Sequence, residues 1–215
     1  MKKFIFKILS LLIVMGLFSC STMQTKQGSG TAIGVGVGAG VGAILGQVIG
    51  GDTESTLIGA GIGAALGGLA GNQIGRYMDM QEQDLRNAIA ASEAASVRRE
   101  EDILRATLKG EAYFDSDSSQ LKPGAFSELR RISDILIKYP QTTIEIGGHT
   151  DTRGTEQYNQ MLSSQRAEAV KNALMHNGVS PSRMVAIGYG ESRPISSNHA
   201  INRRVEIIIA PIRQG

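Results

Sequence analysis

Two uncharged tracts with glycine at every fourth position limit what the first third of this chain can become. The first runs Gly30, Gly34, Gly38, Gly42, Gly46, Gly50, and the second Gly59, Gly63, Gly67, Gly71, Gly75. Seventeen of the chain's 27 glycines lie between Gly28 and Gly75. No charge occurs in 31–50 or 55–75, and Asp52 and Glu54 sit between the tracts, as at the turn of a hairpin. A period of four lines the glycines along one helix face, so two such faces can approach backbone to backbone. Each glycine costs about 1 kcal/mol relative to alanine inside a helix. The eleven positions therefore cost on the order of 10 kcal/mol, which close packing or a membrane has to offset. A 20-residue tract is about 30 Å long, the thickness of a bilayer core. A flexible Gly/Ser linker does not fit, because Ala, Val, Ile and Leu fill the intervals. A phosphate loop does not fit either: the GxGxxA match at Gly38–Ala43 has no strand before it and no GK[ST]. Membrane-linked insertion or self-association is the expectation here, and a water-soluble, tightly packed hairpin is its rival.

The first nineteen residues read as a secretory signal. Lys2, Lys3 and Lys7 precede the apolar run Ile8–Phe18, which is too short for a comfortable span. The run ends at Leu17-Phe18-Ser19-Cys20, which resembles a bacterial lipobox. That resemblance implies cleavage before Cys20 and acylation of its thiol. One acyl chain anchors weakly and several anchor firmly, at about 0.8 kcal/mol per buried methylene. Ser21 follows rather than Asp, which points to the outer membrane.

Cys20 is the only cysteine, so an intrachain disulfide and a multi-cysteine zinc site are both excluded. The formal charge is +2. Without the three signal lysines it becomes −1, and no basic run of five or more occurs, so nucleic acid is not an expected partner.

Beyond the glycines the reading is a linker helix at 77–102 and a domain at 103–215. The linker helix is drawn from Tyr77 to Val97, with Leu85, Ala88, Ile89 and Ser92 on one side, and serves as a spacer. In the domain, Ile103–Phe114 is strand-like. Pro123–Tyr139 is helical, with Phe126, Leu129, Ile132, Ile135 and Leu136 spaced for one buried face. Thr142–Ile146 alternates as a strand, and Thr155–His176 is a helix stopped by Asn177-Gly178. Met184–Ile187 and Val205–Ile209 are further strands. About 110 residues suffice for one core.

The second of these helices carries an anomaly. Val170, Ala173 and Leu174 mark its inward stripe in the C-terminal half, yet the same stripe one to three turns earlier holds Asn159, Ser163 and Arg166. Polar groups facing a core need partners. The preceding strand ends in Gly147-Gly148-His149-Thr150-Asp151, so Asp151 and Arg166 are placed to flank one pocket. From the pattern alone, an internal Asp–Arg structural pair explains the stripe equally well.

Several motifs then converge. They are Gly148-His149-Thr150-Asp151-Thr152-Arg153-Gly154, Tyr158-Asn159, Leu162-Ser163, Arg166-Ala167, Gly188-Tyr189-Gly190-Glu191, and Asn202-Arg203-Arg204-Val205-Glu206. Together they resemble the OmpA-like C-terminal domain family, which includes peptidoglycan-associated lipoproteins, over about half the chain. A lipobox and a Gly-zipper hairpin before such a domain look like the YiaD-type subgroup of outer-membrane lipoproteins. The resemblance implies an α+β fold, a βαβαββ sandwich of a mixed sheet with two main helices, preceded by the Gly-zipper helical hairpin. The implied segments are a signal peptide at 1–19, a lipidated tether at 20–29, the hairpin at 30–76, the linker helix and the binding domain.

The implied partner is peptidoglycan, gripped noncovalently at the diaminopimelate of its stem peptide. By motif position the implied ligand-binding residues are Asp151, Arg166, Asn159, Arg203, and Asp115 and Asp117 in the loop after the first strand. Asp151 suits an ammonium, and Arg166 suits a carboxylate in a bidentate fork. Alternation along the last strand puts Arg203 with Val205 and Ile207, and turns Arg204 and Glu206 the other way. The family usually has a longer connection between Asn198 and Asn202; here only three residues intervene. No cofactor or metal is implied, His149, His176 and His199 lack ligand spacing, and no nucleophile elbow occurs, so catalysis is not expected. The rival function is a Gly-zipper assembly factor that forms homo-oligomers and is positioned by its wall domain.

Overall fold

The computed structural model describes residues 71–213. The glycine tracts up to position 70, the lipobox and Cys20 lie outside the described residues. The elements are α1 (Gly71–Ile89), β1 (Ala95–Glu100), β2 (Ile103–Lys109), α2 (Gly110–Tyr113), α3 (Pro123–Lys138), β3 (Thr142–His149), α4 (Glu156–His176), β4 (Met184–Gly188), α5 (His199–Asn202) and β5 (Arg204–Pro211). The strands form one mixed sheet in the order β1-β2-β5-β3-β4. Only β3 and β4 are parallel, joined by the crossover helix α4; the other pairs are antiparallel.

Two-residue alternation sorts the sheet into faces. Leu104, Ala106 and Leu108 of β2, Ile144 and Ile146 of β3, and Val205, Ile207 and Ile209 of β5 join the main core with Leu129, Ile132 and Leu136 of α3 and Ala167, Val170 and Leu174 of α4. Ile103, Ile208 and Ala210 form a second cluster. They belong to the opposite alternation, as do Glu145, His149, Arg204 and Glu206, all four of which are buried.

Three expectations for the segment before β2 change. The helix that begins in the last glycine turn runs through position 76 without a break and ends at Ile89. Residues 95–100, read as linker helix, are instead a strand paired with β2 through a tight turn at Glu101, whose φ is +53°. A polar strand with one inward residue, Val97, has no helix-excluding signal of its own; β2 supplies its hydrogen-bonding partner. Nor is α1 a spacer. Ile74, Met78, Leu85 and Ile89 are buried in the main core, Tyr77 meets Tyr139 edge-on at 5.2 Å, and Arg131 donates to the Ala88 carbonyl at 2.9 Å.

Helix α3 matches its expected span, and Leu129, Ile132 and Leu136 are buried with Ile135 packed against the core, but Phe126 departs from the expected face. Phe126 is 53% exposed, and Ala125 and Glu128 are buried in its place. Leu129, Ile132 and Leu136 centre the buried stripe, and at about 100° per residue Phe126 falls roughly a quarter-turn off that centre while Ala125 falls close to it. Helix α4 begins as expected, with the Thr155 side chain accepting from the Tyr158 N–H.

Candidate functional site

Helix α4 reaches the strand ends because two glycines let it. Gly148 and Gly188 are register partners on β3 and β4. A Cβ on Gly148 would overlap the Ser163 carbonyl, and one on Gly188 would overlap Ser164. Without side chains there, the helix backbone rides directly on the sheet. Ser163 on the anomalous stripe is therefore a packing residue. Its hydroxyl donates to the Gln160 carbonyl and accepts from the Gly190 N–H at 2.9 Å each, pinning the loop after β4 to the helix.

At this end of the sheet lies a cavity of about 630 Å³. Asp115, Asp117, Asp151, Asn159, Arg166 and Arg203 all line it. Their side chains have different commitments.

Asp151 is 4% exposed and fully engaged. Its Oδ1 accepts from the Arg153 backbone N–H at 3.0 Å, and its Oδ2 from Nε and Nη2 of Arg153 at 3.0 and 2.7 Å. Oδ2 also accepts from Nη1 of Arg203 at 2.6 Å. Burial alone would raise its pKa, but the Arg153 bonds and then the Arg203 bond outweigh burial and hold the carboxyl below the usual carboxylate range. Arg203 is itself shared, since its Nη2 donates to Glu111.

Arg166 is 5% exposed. Its Nε donates to the Ser118 carbonyl at 2.9 Å and its Nη2 to the Asp115 carbonyl at 3.3 Å, and its guanidinium lies 5.2 Å from the centroid of the Phe114 ring. Among the described residues it forms no ion pair with a carboxylate. The internal Asp151–Arg166 pair, open in the sequence, is not formed. Burial lowers the Arg166 pKa, offset in part by the nearby Asp117. A desolvated guanidinium hydrogen-bonded to neutral carbonyls has the chemistry to take an anion.

The remaining lining residues shape the rim. The Asp115 side chain is 80% exposed and lies 3.2 Å from Lys122 Nζ, so Asp115 serves Arg166 through its carbonyl and not its carboxylate. Asp117 adopts a left-handed φ of +54° and accepts from the Tyr158 hydroxyl at 3.3 Å. The Asn159 amide donates to the Asp151 and Arg153 carbonyls and to Glu191 Oε2, so it braces the loop around the site. Thr150 Oγ1 is buried on the cavity wall without a hydrogen-bond partner among the described residues. The short 198–202 connection folds as one helical turn, with the Asn198 side chain capping the Ala200 N–H, and still delivers Arg203 to the cavity.

Sequence reasoning missed Arg153 and Glu111 as partners. Arg153 was legible in principle, since an aspartate commonly binds the backbone two residues on. Glu111 carried no signal: it meets Arg203 across 92 residues. His149 lies on the other side of the sheet, stacked on Tyr189 at 5.2 Å.

With this geometry in hand, residues 113–207 match the OmpA family and residues 1–75 the YMGG-like Gly-zipper family. The chain is similar to the probable lipoprotein YiaD of Escherichia coli, 38% identical over 144 residues, covering 65% of each chain. It is similar to the peptidoglycan-associated lipoprotein of Pseudomonas aeruginosa, 42% identical over 100 residues, covering 44% of this chain and 59% of that one. Among solved structures, the cell wall anchor of the T6SS from Pseudomonas aeruginosa aligns with a TM-score of 0.55 at 28% identity, over 60% of this chain and 99% of that one. The chain spans about a third to two thirds of the length of the curated relatives it matches first.

Proposed function

This chain carries an OmpA family domain behind a Gly-zipper segment, and from that premise we propose that it is a non-catalytic lipoprotein whose cavity binds peptidoglycan. The ligand group is the diaminopimelate of the stem peptide, which presents an ammonium and a carboxylate on one carbon. The carboxylate goes to Arg166, and the ammonium goes to Asp151. Cys20, acylated, fixes the chain to the outer membrane, so that binding ties membrane to wall. The observation that carries the reading is the Arg166 guanidinium: buried on the cavity wall, held by two carbonyls, and in no ion pair with a carboxylate among the described residues.

Titration calorimetry with an L-Ala-D-Glu-meso-diaminopimelate tripeptide tests this. Truncating one member of a desolvated charge pair costs about 2–5 kcal/mol. Asp151→Ala and Arg166→Ala should each weaken binding by roughly 30-fold to several thousandfold. Arg166→Lys should also lose at least about tenfold, since an ammonium cannot hold the carboxylate and both loop carbonyls in one plane. Full binding by either alanine variant, with an unchanged circular dichroism spectrum, would place the ligand elsewhere.

A second reading, self-association through the glycine tracts, is favoured by the Gly-zipper match at 1–75. Deleting residues 30–70 separates the two, because wall binding should survive and assembly should not. The deletion has to stop at 70, since Ile74 already belongs to the domain core.

A further inference from the structure

The cavity already contains a cation where the ligand's ammonium has to go. Arg153 covers the Asp151 carboxylate with two side-chain bonds at 3.0 and 2.7 Å, and its own backbone N–H takes the second oxygen. Two arginines share Oδ2, but they are held differently. Arg203 is 21% exposed at its side chain and anchored at its other end by Glu111. Arg153 is 68% exposed, and its side chain has no carboxylate partner but Asp151 among the described residues.

We propose that Arg153 is a displaceable plug. Its guanidinium occupies the ammonium subsite until a ligand arrives, and it then swings outward while Arg203 stays in place. The proposal rests on the reading of this cavity as a peptidoglycan site, and it identifies Arg153 as a residue that sets affinity from outside the ligand contacts. The exchange is one cation for another on the same carboxylate. Binding therefore gains little there from net charge pairing, and the carboxylate end of the ligand, on Arg166, decides which cations succeed. A ligand with only an ammonium replaces Arg153 without adding an interaction. A ligand with both groups replaces it and also satisfies Arg166.

The exchange also predicts a salt response. Swapping cations leaves the charge at Asp151 unchanged, so affinity there is insensitive to ionic strength. With Arg153 removed, the ammonium forms a new ion pair in a partly open site, and that gain is screened by salt.

Calorimetry of the full chain in detergent, with the same meso-diaminopimelate tripeptide, tests this in wild type, Arg153→Ala and Arg153→Gln. The residue 153 backbone N–H to Asp151 persists in both variants. Exposed ion pairs are weak, so the expected gain is modest: about threefold to tenfold tighter binding in both variants at low salt. The advantage should shrink towards wild type at about 0.5 M salt, where the screening length is only a few ångström. Tighter, salt-sensitive binding is not an effect that a merely structural role for Arg153 produces. Equal or weaker binding in variants with unchanged thermal melts overturns the plug. Absence of wild-type binding instead overturns the underlying reading of the cavity, so the two failures are distinguishable.

Discussion

Asp151 and Arg203, 52 residues apart in sequence, meet at 2.6 Å between Oδ2 and Nη1, and the same guanidinium goes on to Glu111. This link joins the end of β3, the start of β5 and helix α2 into one wall of the cavity. Gly110 makes it possible, because its N–H donates to the Arg203 carbonyl at 2.8 Å and a Cβ there would press on that carbonyl.

Arg203→Ala should therefore weaken both the fold and the site. Asp151 keeps its Arg153 bonds, so the loss is partial. A hydrogen bond to a charged group contributes about 1.5–3 kcal/mol. Urea unfolding should show a destabilisation of about that size, and tripeptide affinity should fall as the wall loosens. Unchanged stability would mean that Arg153 alone holds Asp151.

The glycines predict opposite signs at different positions. Gly148→Ala drives a Cβ into the Ser163 backbone carbonyl, which cannot retreat without moving α4 off the sheet. Overpacking of this kind costs about 1–3 kcal/mol, or more where backbone must move. Gly75 lies in α1 with nothing among the described residues within 4 Å of the space its Cβ would fill. Gly75→Ala should stabilise by about 0.5–1 kcal/mol, the helix propensity difference. Paired denaturation curves check both; a destabilised Gly75→Ala would be incompatible with that open environment.

His149 makes stability depend on pH. It is 2% exposed, and burial, then the Arg204 guanidinium, lower its pKa from 6.5 to about 3. The folded imidazole thus stays neutral down to about pH 3, while the unfolded one takes a proton near 6.5. Between those values the unfolded state binds more protons. The contribution is complete above about pH 6.5 and is lost progressively as pH falls towards 3, at up to about 1.4 kcal/mol per pH unit. Burial raises the Glu145 pKa and so acts in the opposite direction at its own window; burial would also raise Glu206, but the Arg105 and Arg204 guanidinium groups outweigh it and lower its pKa, so Glu206 acts in the same direction as His149. Stability measured from pH 7 to pH 4 in wild type and His149→Phe isolates the histidine. The variant should show a shallower slope by close to one proton.

Cys20→Ser should leave an unprocessed precursor that takes up no labelled fatty acid and fractionates with the inner membrane. The motivation is the lipobox position of the sole cysteine. Acyl incorporation equal to wild type would remove the lipid anchor from the proposal.

What the sequence determined by itself is local. The period of two placed β3, short apolar runs placed β4 and β5, the period of 3.6 with Pro123 and Thr155 placed α3 and α4, and the polar stripe Asn159–Ser163–Arg166 marked the helix end where the cavity lies. These signals survive because strand and helix geometry act over a few residues, whatever lies across the fold. The tertiary structure decided the rest. It turned 95–100 into an edge strand by giving it β2 to pair with, and left Phe126 outside by choosing which face of α3 the sheet covers. Above all, it decided which arginine claims which acid. Asp151 went to Arg153 and Arg203, and Arg166 received only carbonyls. Charge pairing falls off within a few ångström and depends on what each group's burial removes from water. Motif spacing along the chain carries no information about either quantity, so the commitment of Arg166 to carbonyls rather than to Asp151 became visible only when the elements were packed.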